Sequence, residues 1–253
     1  MIKIDDLEIR RFPENGYAPI EECFALCEEA GLEVLSMRDV AQLRVRHPEK
    51  GHPAWTELNR GYSKTIVGTG RLEGLPTIVV AHAKHPFETS EAIKRFKADP
   101  QKLFEGAITF PEAEVLKMID PYKGCREPKR DVWVIQTPHL IDPQFLNSGV
   151  VLATINGTAK TLLKPFLGGR NIAASYIEGH RNNFYLNIGI FFDERALSFN
   201  GLYFRPLWFD SDCYSLNSNN SYFDRGCVFG MPSCAADTSP ILPSLDDILF
   251  GSG

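Results

Sequence analysis

The stretch that most constrains the fold is Thr77–Ala81, TIVVA. In a β-strand successive side chains point to opposite faces, so Ile78 and Val80 share one face with His82, while Val79 and Ala81 share the other. Both faces are apolar. A strand of this kind belongs in the middle of a sheet covered on both sides. A second β-branched run, Thr65–Val67, precedes it across a glycine-containing connection, and the two read as a β-hairpin. The connection, GTGRLEG, holds Gly68, Gly70 and Gly74. It leads into another strand rather than a helix, which excludes a dinucleotide-binding loop.

Helical signals surround this hairpin. Pro19 to Ala30 carries Ile20, Cys23, Phe24, Cys27 and Ala30 at the spacing of one helix face and stops at Gly31. Cys23 and Cys27 are therefore assigned to the core as small hydrophobes. Asp39 to Arg46 reads as helix, and Pro53 starts a short one that Gly61 ends. Thr89 caps a helix that turns Ile93 and Phe96 inward, and Pro111 starts another. IKI and LEI near the start read as short strands around Asp5–Asp6. DVWVIQT and SGVVLATI read as strands, and Asn171 as the cap of the helix IAASYIE. In the last third, FYLNIGIFF, ALSF and LYFRPLWF suggest a three-stranded antiparallel meander with its tight turn at Asn200–Gly201. The fold class is α+β: a mixed sheet packed with helices in the first two-thirds, and an antiparallel, aromatic-rich meander in the last third. We expect one domain over residues 1–253, with a long irregular segment at 210–243 and a short helical tail at 244–253.

Composition bounds the function classes. The net charge is −5, from 27 basic and 32 acidic residues, which argues against broad nucleic-acid binding. No window approaches the roughly 18 apolar residues that cross a bilayer. The charged start, MIKIDDLEIRRF, lacks the apolar region of a signal peptide. We therefore expect a cytoplasmic location without membrane attachment, and reduced cysteines. Cys213, Cys227 and Cys234 lie in the irregular segment without paired C-x-x-C spacing, so no metal ligand set is assigned. The cofactor, if any, is unknown from the sequence.

Two hydrophobic runs end in polar clusters. TIVVA ends at His82, Lys84 and His85, and DVWVIQT ends at His139 and Asp142. His82 and His85 are three apart, and Pro86 holds His85 extended, so the pair is a poor chelate by itself. Helical segments between the runs permit a parallel crossover. As parallel neighbours, the strands would raise His82, His85, His139 and Asp142 at one sheet edge as candidate acid–base groups, with Lys84 beside them to bind ligand. A second candidate is the glycine turn FLGGRN before the next helix, where Arg170, His180 and Arg181 could help backbone N–H groups hold an anion. The leading expectation is a protein that binds a small polar or anionic molecule at these strand ends, with hydrolysis as its candidate chemistry. The rival is a non-enzymatic interaction module that uses segment 210–243 and the tail. The reaction, the ligand and the oligomeric state are not legible in the sequence.

Overall fold

The computed structural model describes residues 1–49, 51–83, 85–119, 131–136, 146–147, 150–153, 164–179, 187–191, 198–210, 215–217 and 221–233. From the amino end, β1 (Ile2–Ile4) and β2 (Leu7–Phe12) form a hairpin with Asp5 at φ 53° in its turn. β3 (Ala18–Pro19) leads into α1 (Ile20–Glu29), and β4 (Glu33–Val34) into α2 (Met37–Arg46). The short α3 (Pro53–Thr56) precedes two long strands, β5 (Gly61–Leu72) and β6 (Leu75–Ala81). α4 (Ser90–Ala98), β7 (Leu103–Phe104), β8 (Ala107–Pro111) and α5 (Glu112–Ile119) follow. Next come β9 (Val132–Gln136), β10 (Leu146–Asn147), β11 (Val150–Ala153), α6 (Arg170–Gly179) and β12 (Asn187–Phe191). β13 (Gly201–Asp210), β14 (Ser215–Asn217), β15 (Arg225–Gly226) and β16 (Val228–Met231) complete the described chain.

Local chemistry explains the boundaries. Ser36 and Asp39 form a reciprocal capping box at the start of α2, which satisfies two N–H groups that the helix itself leaves open. Thr89 Oγ1 accepts from Ala92 N at 3.2 Å and starts α4. The β5–β6 turn is only Glu73–Gly74, at φ 52° and 75°, the paired left-handed conformation that suits a two-residue hairpin. Gly68 and Gly70 lie inside β5 rather than in the turn. Gly70 and Gly201 have φ 157° and 154°, a region essentially restricted to glycine. A Cβ on Gly70 would stand 2.1 Å from Gly201 O. These glycines let β5 and β13 approach where the two strands begin their ladder.

The main sheet runs β1-β2-β16-β5-β13-β14-β12-β11-β10, with β6 and β9 continuing from β5, and β7 and β8 from β13. It separates two apolar layers. One gathers Val40 and Leu43 of α2, Trp55 of α3 and Tyr176 of α6 against Val67, Ile78, Val80, Leu207 and Phe229. The other gathers Cys23 and Cys27 of α1, Ile93 and Phe96 of α4 and Val115 of α5 against Ile66, Val79, Ala81, Phe204 and Val228. The alternation read in TIVVA is therefore real: its two faces enter two cores, and β6 pairs with both β5 and β9. The α+β class, with a mixed sheet and helices, holds.

Several expectations are corrected. β6 and β9 are neighbours but antiparallel, with Ala81 opposite Val132 and Thr77 opposite Gln136. Asn200–Gly201 is not a hairpin turn. Asn200 bridges Arg71, Gly201 opens β13, and β14 lies between β13 and β12, parallel to the latter. α6 begins at Arg170, so Asn171 lies within it rather than capping it. The segment expected to be irregular supplies β16, which inserts between β2 and β5 with Val228 and Phe229 buried. Of the stretch Thr158 to Leu167, which reads as helix with a break at Pro165, only Lys164–Leu167 is described, and the tail at 244–253 lies outside the described residues.

Arg44 ties the helices of the first layer together. It is 1% exposed. Its guanidinium donates to Ala54 O (3.1 Å), Leu58 O (2.9 Å) and Tyr176 Oη (2.9 Å). The rings of Trp55 and Phe209 lie 4.7 and 5.7 Å from its Cζ.

Candidate functional site

His82 closes β6 and is fully buried. Its Nε2 donates to Pro165 O at 2.7 Å, which leaves Nδ1 to accept from Thr65 Oγ1 at 3.0 Å. Thr65 Oγ1 in turn accepts from Met37 N, the first residue of α2, at 2.8 Å. The His82 backbone N–H donates to Asp131 O, and Asp131 pairs with Arg38 at 3.1 Å. The His82 ring and backbone together thus join α2, β5, β6, the start of β9 and the segment before α6. Burial pushes its pKa down to about 4. His85 is also buried. Its Nε2 donates to Lys64 O at 2.7 Å, and its Nδ1 accepts from Phe87 N at 3.1 Å. Burial lowers its pKa as well.

Because β6 and β9 run in opposite directions, the strand end at His82 lies beside Asp131, at the start of β9. Gln136, at the other end of β9, lies beside Thr77. The carboxyl ends of β6 and β9 therefore lie at opposite ends of their ladder. Lys84, His139, Asp142, His180 and Arg181 lie outside the described residues, as do Cys213 and Cys234. Arg170 is the first residue of α6. The glycine N–H groups before it close a turn, Gly168 N on Pro165 O and Gly169 N on Lys164 O. Cys227 is buried, with its thiol against Arg60 O at 3.2 Å and its pKa raised by burial. Among the described residues, no group of three His, Cys, Asp or Glu is placed to hold a metal. No helix among them is long and apolar enough to cross a membrane.

Among the described residues, β13 carries a group of polar and aromatic side chains on one sheet face. Its odd-numbered residues share a face. Phe209 and Leu207 lie in the layer with α2, α3 and α6. Toward the start of the strand the same face changes character to Arg205 and Tyr203. Tyr203 stands directly opposite Thr69 of β5 and Thr109 of β8, so three hydroxyl side chains form one row across three strands. All three residues are buried. Arg205 occupies the next position on this face, and its Nη2 donates to Glu105 O at 3.1 Å. The rings of Phe104 and Phe199 flank Tyr203 at 5.4 and 4.9 Å, and Phe104 is 39% exposed. A guanidinium and a hydroxyl row beneath an aromatic rim suit a flat molecule that carries an anionic or hydroxyl group. The signal was present in LYFRPLW: Leu202 and Phe204 alternate with Tyr203 and Arg205, a strand with one apolar and one polar face.

No family model matches the sequence, and no curated protein does. One solved structure is similar, described as "Accommodation of massive sequence variation in Nanoarchaeota by the C-type lectin fold". The likeness covers 90% of this chain and 100% of that one, with a TM-score of 0.67 and 21% identity. The chain is similar in fold to that structure. At this identity the likeness speaks for architecture alone. β2 and β16 come from opposite ends of the described chain and pair antiparallel.

Proposed function

We propose that this chain is a ligand-binding protein whose recognition face is the Phe104–Tyr203–Phe199 rim over Thr69, Thr109 and Arg205. One observation carries the reading. The odd-numbered face of β13 is apolar where helices pack on it, and it turns to tyrosine and arginine, with Thr69 and Thr109 opposite Tyr203 on the flanking strands and the exposed Phe104 ring beside it. Buried polar groups cost free energy unless they are bonded, so a polar half-face is not a generic core solution. The fold likeness supports binding as the broad class. The similar structure is described in terms of sequence variation accommodated by this fold, which suits a scaffold that keeps its core and changes its surface. His82 and His85 act in this reading as core ties, since each uses both ring nitrogens within the fold. Of the segment the rival interaction module would use, Val228–Met231 is taken up as β16 of the main sheet, with Val228 and Phe229 buried.

The ligand class is a small molecule with a flat apolar part and an anionic or polar group. Calorimetric titration with naphthoate, an aryl carboxylate, tests it. Wild type should bind with measurable heat, and Phe104→Ala and Arg205→Gln should each weaken binding at least tenfold, about 1.4 kcal/mol. Both variants should keep the wild-type circular dichroism spectrum. No heat from wild type, or equal affinity in correctly folded variants, would overturn the proposal.

A further inference from the structure

A separate cluster sits at the other end of α2. His47, which ends α2, and His52, which starts α3, stack face to face with centroids 4.0 Å apart and planes within 4°. His52 Nδ1 accepts the Ala54 backbone N–H at 3.2 Å, so this imidazole is the side-chain cap of α3. His47 Nε2 lies 3.0 Å from Asp5 Oδ1 in the β1–β2 turn. The backbone adds two ties: Trp55 Nε1 donates to His47 O at 2.7 Å, and His52 N donates to Glu49 O at 2.9 Å. What α3 holds in place is the lid over Arg44, since Ala54 O and Leu58 O accept from that buried guanidinium.

We infer that the stacked His47–His52 pair is a proton-operated latch that holds α3 closed over Arg44 and releases it on acidification. The chemistry follows from which nitrogen does what. A cap must accept, and Nδ1 of His52 accepts only while it carries no proton. Protonation places an N–H against the Ala54 N–H and removes the cap. Protonation of His47 is accommodated, because Asp5 faces it. The interaction with His47 is also the largest influence lowering the pKa of Asp5. Two imidazolium rings 4.0 Å apart repel, so the charged pair separates. Arg46 on α2 lies 3.6 Å from Asp5, and the nearby charges in sequence, Glu49 in the connection and Glu57 after α3, are exposed. Lys3 of β1 is engaged by Glu8 at 3.8 Å, and Lys50 lies outside the described residues. Opening exposes Trp55 and frees two of the three acceptors of Arg44, so a local proton event reaches the helix layer.

Hydrogen exchange followed by mass spectrometry on the full chain tests the latch, with rates corrected for the intrinsic effect of pH. Between about pH 8 and about pH 5, the range in which histidine changes charge, residues 52–58 should lose at least tenfold in protection. Peptides from β5 in the same sample report any global change. In His52→Asn, which keeps a capping acceptor without a titrating ring, the extra loss in 52–58 should vanish. His52→Asp serves the same purpose if the asparagine variant fails to fold. Equal protection of 52–58 at both pH values would overturn the latch. So would an acid-induced loss that persists in the capping variants.

Discussion

Arg44→Ala is expected to destabilise the protein by about 4 kcal/mol, a large share of the 5–15 kcal/mol that holds a typical domain together. The guanidinium donates to Ala54 O, Leu58 O and Tyr176 Oη. Truncation strands those acceptors in an apolar layer, and each unmet buried group costs about 1–3 kcal/mol. It also removes the cation from between Trp55 and Phe209 and leaves a void where the side chain was. Lysine is no substitute, because one ammonium on a flexible stem cannot reproduce the planar fork that reaches all three acceptors. Urea denaturation checks this: the midpoint should fall with little change in slope. A variant within about 1 kcal/mol of wild type would mean that Arg44 does not tie α2, α3 and α6 together.

The second large effect is acid sensitivity centred on His82. Burial holds its imidazole neutral down to about pH 4, against an ordinary value of 6.5. The unfolded chain takes up this proton at the ordinary value and the folded chain does not, so stability rises with pH between those limits. The contribution is fully present above the unfolded value and is lost as pH falls toward the folded one. The window is worth about 3 kcal/mol. His85, also lowered by burial, acts in the same direction. His82→Gln should be less stable than wild type at neutral pH, since it disturbs the Thr65–His82–Pro165 chain. It should then lose less stability on acidification, by about 3 kcal/mol. Denaturant titrations of both proteins at neutral pH and near pH 4 decide it. Parallel pH dependence in the two would show that this imidazole is not the buried neutral group described.

How much of this is legible in the sequence depends on the range of each interaction. The β5–β6 hairpin is readable because TIVVA carries its alternation locally and Glu73–Gly74 supplies the turn. The α1 face is readable from Cys23, Phe24 and Cys27, and the start of α4 from Thr89. Strand direction is not readable in the same way. The helix-containing link between β6 and β9 is long enough for either sense, and only the register of Ala81 on Val132 decides it. That register moves the end of β9 away from His82. β16 was hidden because CVFGM is short and lies among serine, asparagine and aspartate. Its strand character comes from its partners on β2 and β5, far away in sequence. Asn200–Gly201 carries a strong hairpin signal, yet Gly201 serves instead as the place where β13 passes close to Gly70 and Phe110 O. The histidines were conspicuous by residue type, but burial and hydrogen bonding, which set their role, are tertiary facts. The alternation of Tyr203 and Arg205 with Leu202 and Phe204 is local and readable, but their row with Thr69 and Thr109 exists only in the folded sheet.

We propose that recognition belongs to the odd-numbered face of β13 and not to His82 and His85. Amide shift mapping by NMR during a naphthoate titration tests it most directly. Saturable shifts are expected in residues 104–109 and 199–205, with residues 82–87 unmoved. Shifts centred on His82 and His85, or none on the β13 face at saturating naphthoate, would contradict it.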